Sequence, residues 1–200
     1  MTFPFDETLI LENEIALLKP LEKADLAALL PVALSDRNLL QYSPQPIYTE
    51  ALLSRYIDQA LQDRRQRYAF TIFDKRQGAY AGSTSFLSIS EADSRLEIGA
   101  TWIGPAFQRT GLNRQCKFLL LRFAFDTLGA ERVELKTDER NLASRRAIEK
   151  IGGRYEGTLR SHTVLADGFR RNTVYYSILK PEWNALLTRP DSPFKETTSY

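Results

Sequence analysis

The sequence predicts a mixed α+β (α/β three-layer) domain, with a central sheet of about seven strands and four helices on its faces. Three observations carry this expectation. Apolar residues switch between a spacing near 3.6 and a spacing of 2 several times along the chain. Three strand-like segments follow one another in the middle, joined by short polar turns. After them, helices and strands alternate.

Residues 14–19 read as a first strand ended by Pro20. Lys23 to Leu34 has a helical apolar face of Leu26, Leu29, Leu30 and Ala33, with a break or kink expected at Pro31. Ser43-Pro44-Gln45-Pro46 is a loop, and Thr49 is placed to cap a second helix reaching about Arg65 through Leu52, Leu53, Tyr56, Ile57, Ala60 and Leu61. Tyr68–Phe73, Ala79–Ile89 and Arg95–Ile103 form the strand series, with turns at 75–78 and 91–94. A long helix is expected from Leu112 to Leu128, apolar on more than one side and stopped by Gly129. Arg132–Thr137 reads as a strand and Asn141–Ile151 as a helix ending at Gly152-Gly153. Two last strands, 155–165 and 172–179, flank an Asp167-Gly168 turn. One domain over 8–188 follows, with no repeat or linker. The polar, proline-containing tail 189–200 is expected to be disordered.

Composition excludes several classes of function. With 27 Lys+Arg against 25 Asp+Glu there is no basic field for nucleic acid. One cysteine and one histidine leave no disulfide and no structural metal site, which fits a reducing, cytoplasmic setting. The N-terminus lacks the basic start and apolar core of a secretory signal, and no apolar run is long enough to cross a membrane.

The most informative stretch is Gln108-Arg109-Thr110-Gly111-Leu112-Asn113, a glycine turn opening directly into a helix. Free backbone amides and the helix dipole make such a turn an anion site, and Arg109 and Arg114 add charge. Read alone, Gly111 could equally be an ordinary turn glycine. The turn resembles the phosphate-binding signature Gln/Arg-x-x-Gly-x-Gly/Ala of the GNAT family of N-acetyltransferases, with Asn113 departing from the small residue usual at the last position. The stretch from Asp138 to Gly153, with Asn141-x-x-Ser144 opening its helix, resembles that family's second landmark. The continuation Tyr155-Glu156-Gly157-Thr158-Leu159-Arg160 is similar to the branch of bacterial ribosomal-protein-alanine N-acetyltransferases. The order of elements agrees over about Glu12 to Leu187.

The resemblance implies a mostly antiparallel sheet and acetyl transfer from acetyl-CoA to a primary amine in a ternary complex. The acceptor is a protein N-terminal α-amine or a small molecule such as an amino acid, polyamine or amine antibiotic. A non-catalytic acyl-CoA-binding regulatory module is the alternative outside enzymology. The resemblance further implies that the turn 108–114 holds the coenzyme A pyrophosphate and that Asn141 and Ser144 meet the pantetheine arm. A backbone N–H near Trp102 or Ile103 would polarise the thioester, where the family splays its fourth and fifth strands. It makes Glu97 the general base; the bland alternative is a solvated face or an ion pair. Ser144 would donate to the departing sulfur, or merely line its helix turn. Alternation puts Leu96, Ile98 and Ala100 on one face of this strand and Glu97, Gly99 and Thr101 on the other. His162 and Arg160 could border the acceptor pocket, although a lone histidine is more often structural. Arg170 and Arg171 could meet an acidic acceptor or simply be solvated, and Cys116 is inert packing. The apolar surface of 112–128 and Tyr175-Tyr176 could serve the core or a homodimer alike.

Overall fold

A computed structural model describes residues 1–194. Eight strands form one sheet in the order β1-β2-β3-β4-β5-β6-β8-β7, antiparallel throughout except where β5 meets β6. The strands are β1 (Leu11–Glu12), β2 (Ala16–Pro20), β3 (Arg67–Asp74), β4 (Ala79–Ser90), β5 (Arg95–Ile103), β6 (Arg132–Asp138), β7 (Arg154–Val164) and β8 (Arg170–Leu179). Helices α1 (Leu26–Leu34) and α2 (Glu50–Leu61) cover one face, packing with Leu21, Ala69 and Trp102. Helices α3 (Leu112–Arg122), α4 (Leu142–Lys150) and α5 (Lys180–Thr188) cover the other, over Phe70, Phe86, Leu96, Ile98, Val133 and Tyr176. The mixed fold with helices on both faces is as expected from sequence. The two-residue β1 and the nine-residue α5, which opens with Pro181 in its first turn, are additions to the expected count.

Local chemistry explains most boundaries. Thr49 caps α2, its side chain accepting from the Leu52 amide at 3.2 Å. A single 3₁₀ turn (Lys23–Asp25) leads into α1, where buried Asp25 ties the helix start to the sheet through Lys19 Nζ (2.6 Å) and Thr71 Oγ1 (2.7 Å). Of the break or kink expected at Pro31, the break does not occur: α1 runs through the proline, whose nitrogen has no hydrogen to donate. The long helix is α3 up to Arg122, followed by a wider π turn over Phe123–Thr127, before Gly129 leaves with φ +70°.

β5 departs from simple alternation. Ser83 faces Trp102 and Ser85 faces Gly99, so Ala100 and Thr101 together oppose Thr84 in a β-bulge, and Ala100 takes φ +48°. The extra residue inverts the phase of the strand. Trp102 packs with α1 and α2, Ile103 joins the core under α3, and Thr101 turns toward α3, where it meets Lys117. The alternation read from sequence therefore holds up to Gly99 and reverses beyond it. Tyr56 of α2 pins the bulge by donating to the Ala100 carbonyl at 3.3 Å, and Arg67 in turn donates to the Tyr56 hydroxyl.

Of the apolar surfaces that sequence left open between core and dimer, Leu119, Leu120, Leu121 and Tyr176 are core, at most 1% exposed, while Phe118 and Tyr175 are half-buried. The large exposed apolar side chains include Tyr155, Leu159 and Val164 on edge strand β7. Of the tail expected to lack order, Arg189–Phe194 turns back so that Phe194 packs on Trp183 and Phe118; residues 195–200 lie outside the described residues. Among the described residues no helix is long and apolar enough to cross a membrane.

Trp183 joins α5 to the rest. It is fully buried, stacks on Phe125 at 5.7 Å between ring centroids, and donates from Nε1 to Asp126 Oδ1 at 2.9 Å. Trp183→Ala is expected to cost about 3–5 kcal/mol and lower the melting temperature by roughly 10 °C. Thermal and denaturant unfolding check this, and a loss below about 1 kcal/mol would show that α5 is not integral to the core.

Candidate active site

Two parallel strands part company in the middle of the sheet. β5 and β6 pair only from Arg95↔Arg132 to Glu97↔Glu134. Beyond that, β5 stays bonded to β4 as far as Ile103, and β6 stays bonded to β8 as far as Asp138. The divergence opens a slot whose two edges carry main-chain N–H and C=O groups not used in sheet pairing. Because the strands are parallel, both carboxyl ends point the same way, and each leads into a helix. β5 runs through the 104–111 turn into α3, and β6 runs through 139–141 into α4. The open end of the slot is thus flanked by two helix N-termini, the usual place for a ligand in a parallel pair.

Glu97 sits at the closed end of this slot. Its side chain is 3% exposed and pairs with Lys136 Nζ of β6 at 2.8 Å. The carboxylate lies over Gly99, where an added Cβ would come within 2.7 Å of Glu97 Oε1, so the glycine leaves the space the carboxylate fills. The ion pair offered as the alternative from sequence is therefore present, with a lysine as the partner. Burial by itself would lower the Lys136 ammonium, but the charge and hydrogen bond of Glu97 outweigh it and hold it above its usual value.

From this pair a chain of side chains runs along the α1/α2 face of the sheet. Lys136 Nζ lies 5.8 Å from the centre of the Tyr175 ring, and the His162 ring stands edge-on to Tyr175 at 6.0 Å. His162 Nδ1 is within hydrogen-bond distance of Thr173 Oγ1 (3.1 Å) and Thr163 Oγ1 (3.2 Å). His162, singled out in the sequence as a border of the acceptor pocket, is thus linked to Glu97 through Tyr175 and Lys136, of which the sequence reading singled out only Tyr175, as apolar surface. Arg160 is exposed on the concave surface lined by Thr158–His162, where β7 bends at Ser161 (φ +52°).

Arg171 completes this side. It donates to the Tyr42 carbonyl at 2.8 Å and to Thr173 Oγ1 at 3.1 Å, and burial lowers it from the usual guanidinium value. Arg140 lies 3.8 Å from the Phe169 ring centre and 5.4 Å from that of Tyr42. Together they tie the α1–α2 loop to the β7–β8 turn above the Glu97 floor. Arg170, by contrast, only reaches the Ser161 carbonyl at 3.3 Å.

The glycine turn has the geometry of an anion site. Gln108 Nε2 donates back to the Ile103 carbonyl at 2.9 Å, and Thr110 Oγ1 donates to the Phe107 carbonyl at 2.7 Å. Arg109 and Gly111 take φ +61° and +88°, which turns successive amides to one side. Among the described residues no acceptor faces the amides of Arg109, Thr110 and Gly111, whereas the Leu112 amide has Thr110 Oγ1 at 3.3 Å. Neither Arg109 nor Arg114 pairs with a carboxylate among the described residues. Gly111 is required by its backbone angle; a Cβ there would meet only Arg114 Nη2, at 3.9 Å. Asn113, the departure from the family signature, carries a buried Oδ1 with no partner. Sequence missed Arg76, which Asp74 holds (Nη2–Oδ2 3.2 Å) while its Nη1 supports the Thr110 carbonyl at 3.2 Å. No signal within the turn itself could have revealed a residue 34 positions away.

At the other helix start, Asn141 is the N-cap, accepting from the Ser144 amide at 3.0 Å. Its structural role is thereby accounted for, and Ser144 lies half-buried in the first turn. Trp102 Nε1 is buried without a partner, on the α1/α2 side of the sheet. Cys116 is fully buried, and burial pushes its thiol up to about 12, as inert packing requires. Among the described residues no cluster of three metal-ligating side chains occurs.

Comparison with known proteins gives the arrangement its family. A family model described as "Acetyltransferase (GNAT) domain" matches residues 16–154. The chain is 24% identical over 151 residues to the uncharacterised N-acetyltransferase YnaD of Bacillus subtilis, covering 75% of this chain and 85% of that one. A crystal structure of a GCN5-related N-acetyltransferase from Brucella melitensis superposes with a TM-score of 0.84 at 30% identity, covering 91% of this chain and 83% of that one. The fold also matches the ribosomal-protein-S5-alanine acetyltransferase of Vibrio fischeri, with a TM-score of 0.69 at 17% identity, covering 88% and 98%. The slot between β5 and β6, the anion turn at its mouth and these matches make the chain an acyltransferase that belongs to the GNAT family of N-acetyltransferases.

Proposed function

We propose that this chain transfers an acetyl group from acetyl-CoA to the α-amine of a peptide or protein N-terminus, by direct attack within a ternary complex. The observation that carries the reading is the slot that opens at Glu97 between two helix N-termini. Free edge groups suit the amides of a pantetheine arm, and the free amides of 109–111 with Arg109 and Arg114 suit a pyrophosphate. Acetyl-CoA supplies an activated thioester; the remaining steps fall to the protein.

Glu97 takes the proton from the acceptor ammonium, directly or through water, and Lys136 holds the carboxylate at the end of the slot. A main-chain N–H of β5 near Trp102 or Ile103 polarises the thioester carbonyl, and the Ser144 hydroxyl donates to the sulfur as charge develops there. The acceptor reading rests on the groups around Glu97. Lys136 and Arg171 balance the carboxylates of Glu97 and Asp138 on this side of the sheet. It therefore offers a polyamine or aminoglycoside little of the excess negative charge a polycation needs, while a singly charged peptide N-terminus does not depend on it. The ribosomal-protein relative in Vibrio points the same way by analogy only. His162 and Arg160 border the path of such a chain.

An acceptor screen reading thiol release from acetyl-CoA tests this. N-terminal peptides are expected to turn over faster than spermidine or an aminoglycoside, and the reverse order would overturn the peptide assignment. Tight binding of coenzyme A with no turnover of any amine would instead favour a regulatory module. Glu97→Gln should reduce kcat about 10²–10⁴-fold near pH 7, with partial recovery as the acceptor amine deprotonates at higher pH; unchanged activity would remove Glu97 as the base. Gly111→Val forces a β-branched residue to φ +88° in the turn and should raise the KM for acetyl-CoA about tenfold or more, with kcat less affected. Ser144→Ala should lower kcat about tenfold at unchanged KM if the hydroxyl meets the sulfur. A melting curve of each variant separates these effects from unfolding.

A further inference from the structure

The mechanism above leaves a buried ammonium unused. Lys117 lies on α3, among Leu112, Cys116 and Leu120, and is only 7% exposed. Its Nζ donates to Thr101 Oγ1 at 2.8 Å, and Thr101 in turn contacts Thr84 Oγ1 at 2.7 Å. No carboxylate among the described residues pairs with it. An ammonium has three donors, and burying one with a single hydroxyl acceptor is unfavourable unless a further partner arrives.

Its position names that partner. Thr101 belongs to the stretch of β5 beyond Glu97, where β6 has already diverged. The bulge at Ala100 turns Thr101 toward α3; regular alternation would have turned it away. Bulge and divergence together set the Lys117 ammonium against the wall of the slot, on the α3 side, opposite the side from which the acceptor reaches Glu97. Burial pushes Lys117 down to about 8, with Cys116 and Glu97 offsetting only part of that effect.

We propose that Lys117 is a binding and charge-stabilising residue of the transfer reaction, its ammonium donating to a carbonyl oxygen of the acyl-pantetheine arm that lies in the slot. The inference rests on the acetyl-CoA reading of that slot. The carbonyl belongs either to the thioester or to a pantetheine amide. Coenzyme A, which keeps the amides and lacks the thioester, distinguishes the two.

Calorimetric titration of the intact protein with acetyl-CoA and with coenzyme A, from pH 7.0 to 9.5, provides the test. The groups that face the ammonium are the Thr101 and Thr84 hydroxyls, the Cys116 thiol (uncharged over this range) and, through the sheet, Glu97 with its partner Lys136. The ligand binds the protonated form, so wild-type affinity for acetyl-CoA is expected to fall about tenfold as pH rises through the free-protein value. Lys117→Met should weaken binding at pH 7.0 by at least about tenfold and flatten the pH dependence, with a melting temperature no lower than wild type. Equal weakening toward coenzyme A assigns the contact to an amide; weakening toward acetyl-CoA alone assigns it to the thioester. A wild-type affinity that is flat over this range overturns the inference without recourse to any variant, as does a folded Lys117→Met that binds like wild type. A wild-type protein that binds neither ligand overturns the acetyl-CoA reading itself, and this inference with it.

Discussion

Everything at the site depends on the early divergence of two parallel strands. A parallel pair buried between helix layers normally keeps its ladder, because an unpaired main-chain group in the interior is costly. Here the ladder stops after three residue pairs, while each strand keeps its partner on the other side. The gap is therefore framed by rigid elements, and its exposed edges are a standing demand for hydrogen bonds. A ligand with amides along an extended arm meets that demand in the way an added strand does. The Glu97–Lys136 pair closes the gap at its narrow end, where it places opposite charges on the two strands that separate.

Around this gap the protein sorts its charges by face. On the α1/α2 side lie the Glu97–Lys136 pair, Tyr175, His162 and Arg171, under a roof formed by the α1–α2 loop and the β7–β8 turn. On the α3 side lie an apolar core and the lone ammonium of Lys117. The anion turn sits at the mouth, braced from outside by Arg76. In the reaction proposed above, such an arrangement lets the two reactants approach from different directions, with the sheet as the partition between them.

Much of this was legible in the sequence because it is local. Period changes marked nearly every strand and helix, and β5 and α2 begin where pattern and cap place them. The glycine turn and the helix start at Asn141 are readable from local motif and spacing, whereas Glu97 is singled out only through the family resemblance. What escaped depended on register or on distant partners. The two residues of β1 have no period to detect. Lys136 reads as an ordinary surface-strand lysine until parallel pairing sets Glu97 beside Glu134 and leaves the lysine facing inward. Lys117 has polar Gln115 two positions before it, and only the phase inversion at Ala100 gives it a hydroxyl to meet. Pro31 misled in the other direction, since tertiary packing of α1 outweighed the loss of one helical bond.

The inverted phase of β5 also limits how this strand can change in length. Removing one residue at the bulge would restore strict alternation and exchange the faces of Thr101 and Trp102. An indole that is now 3% exposed beneath α1 and α2 would be thrust among the leucines of α3, and Lys117 would lose its bond to Thr101. Point substitutions along the strand alter one contact at a time, whereas a single-codon deletion there rewrites both layers at once. The segment is accordingly rigid in residue number even where its composition is free to drift.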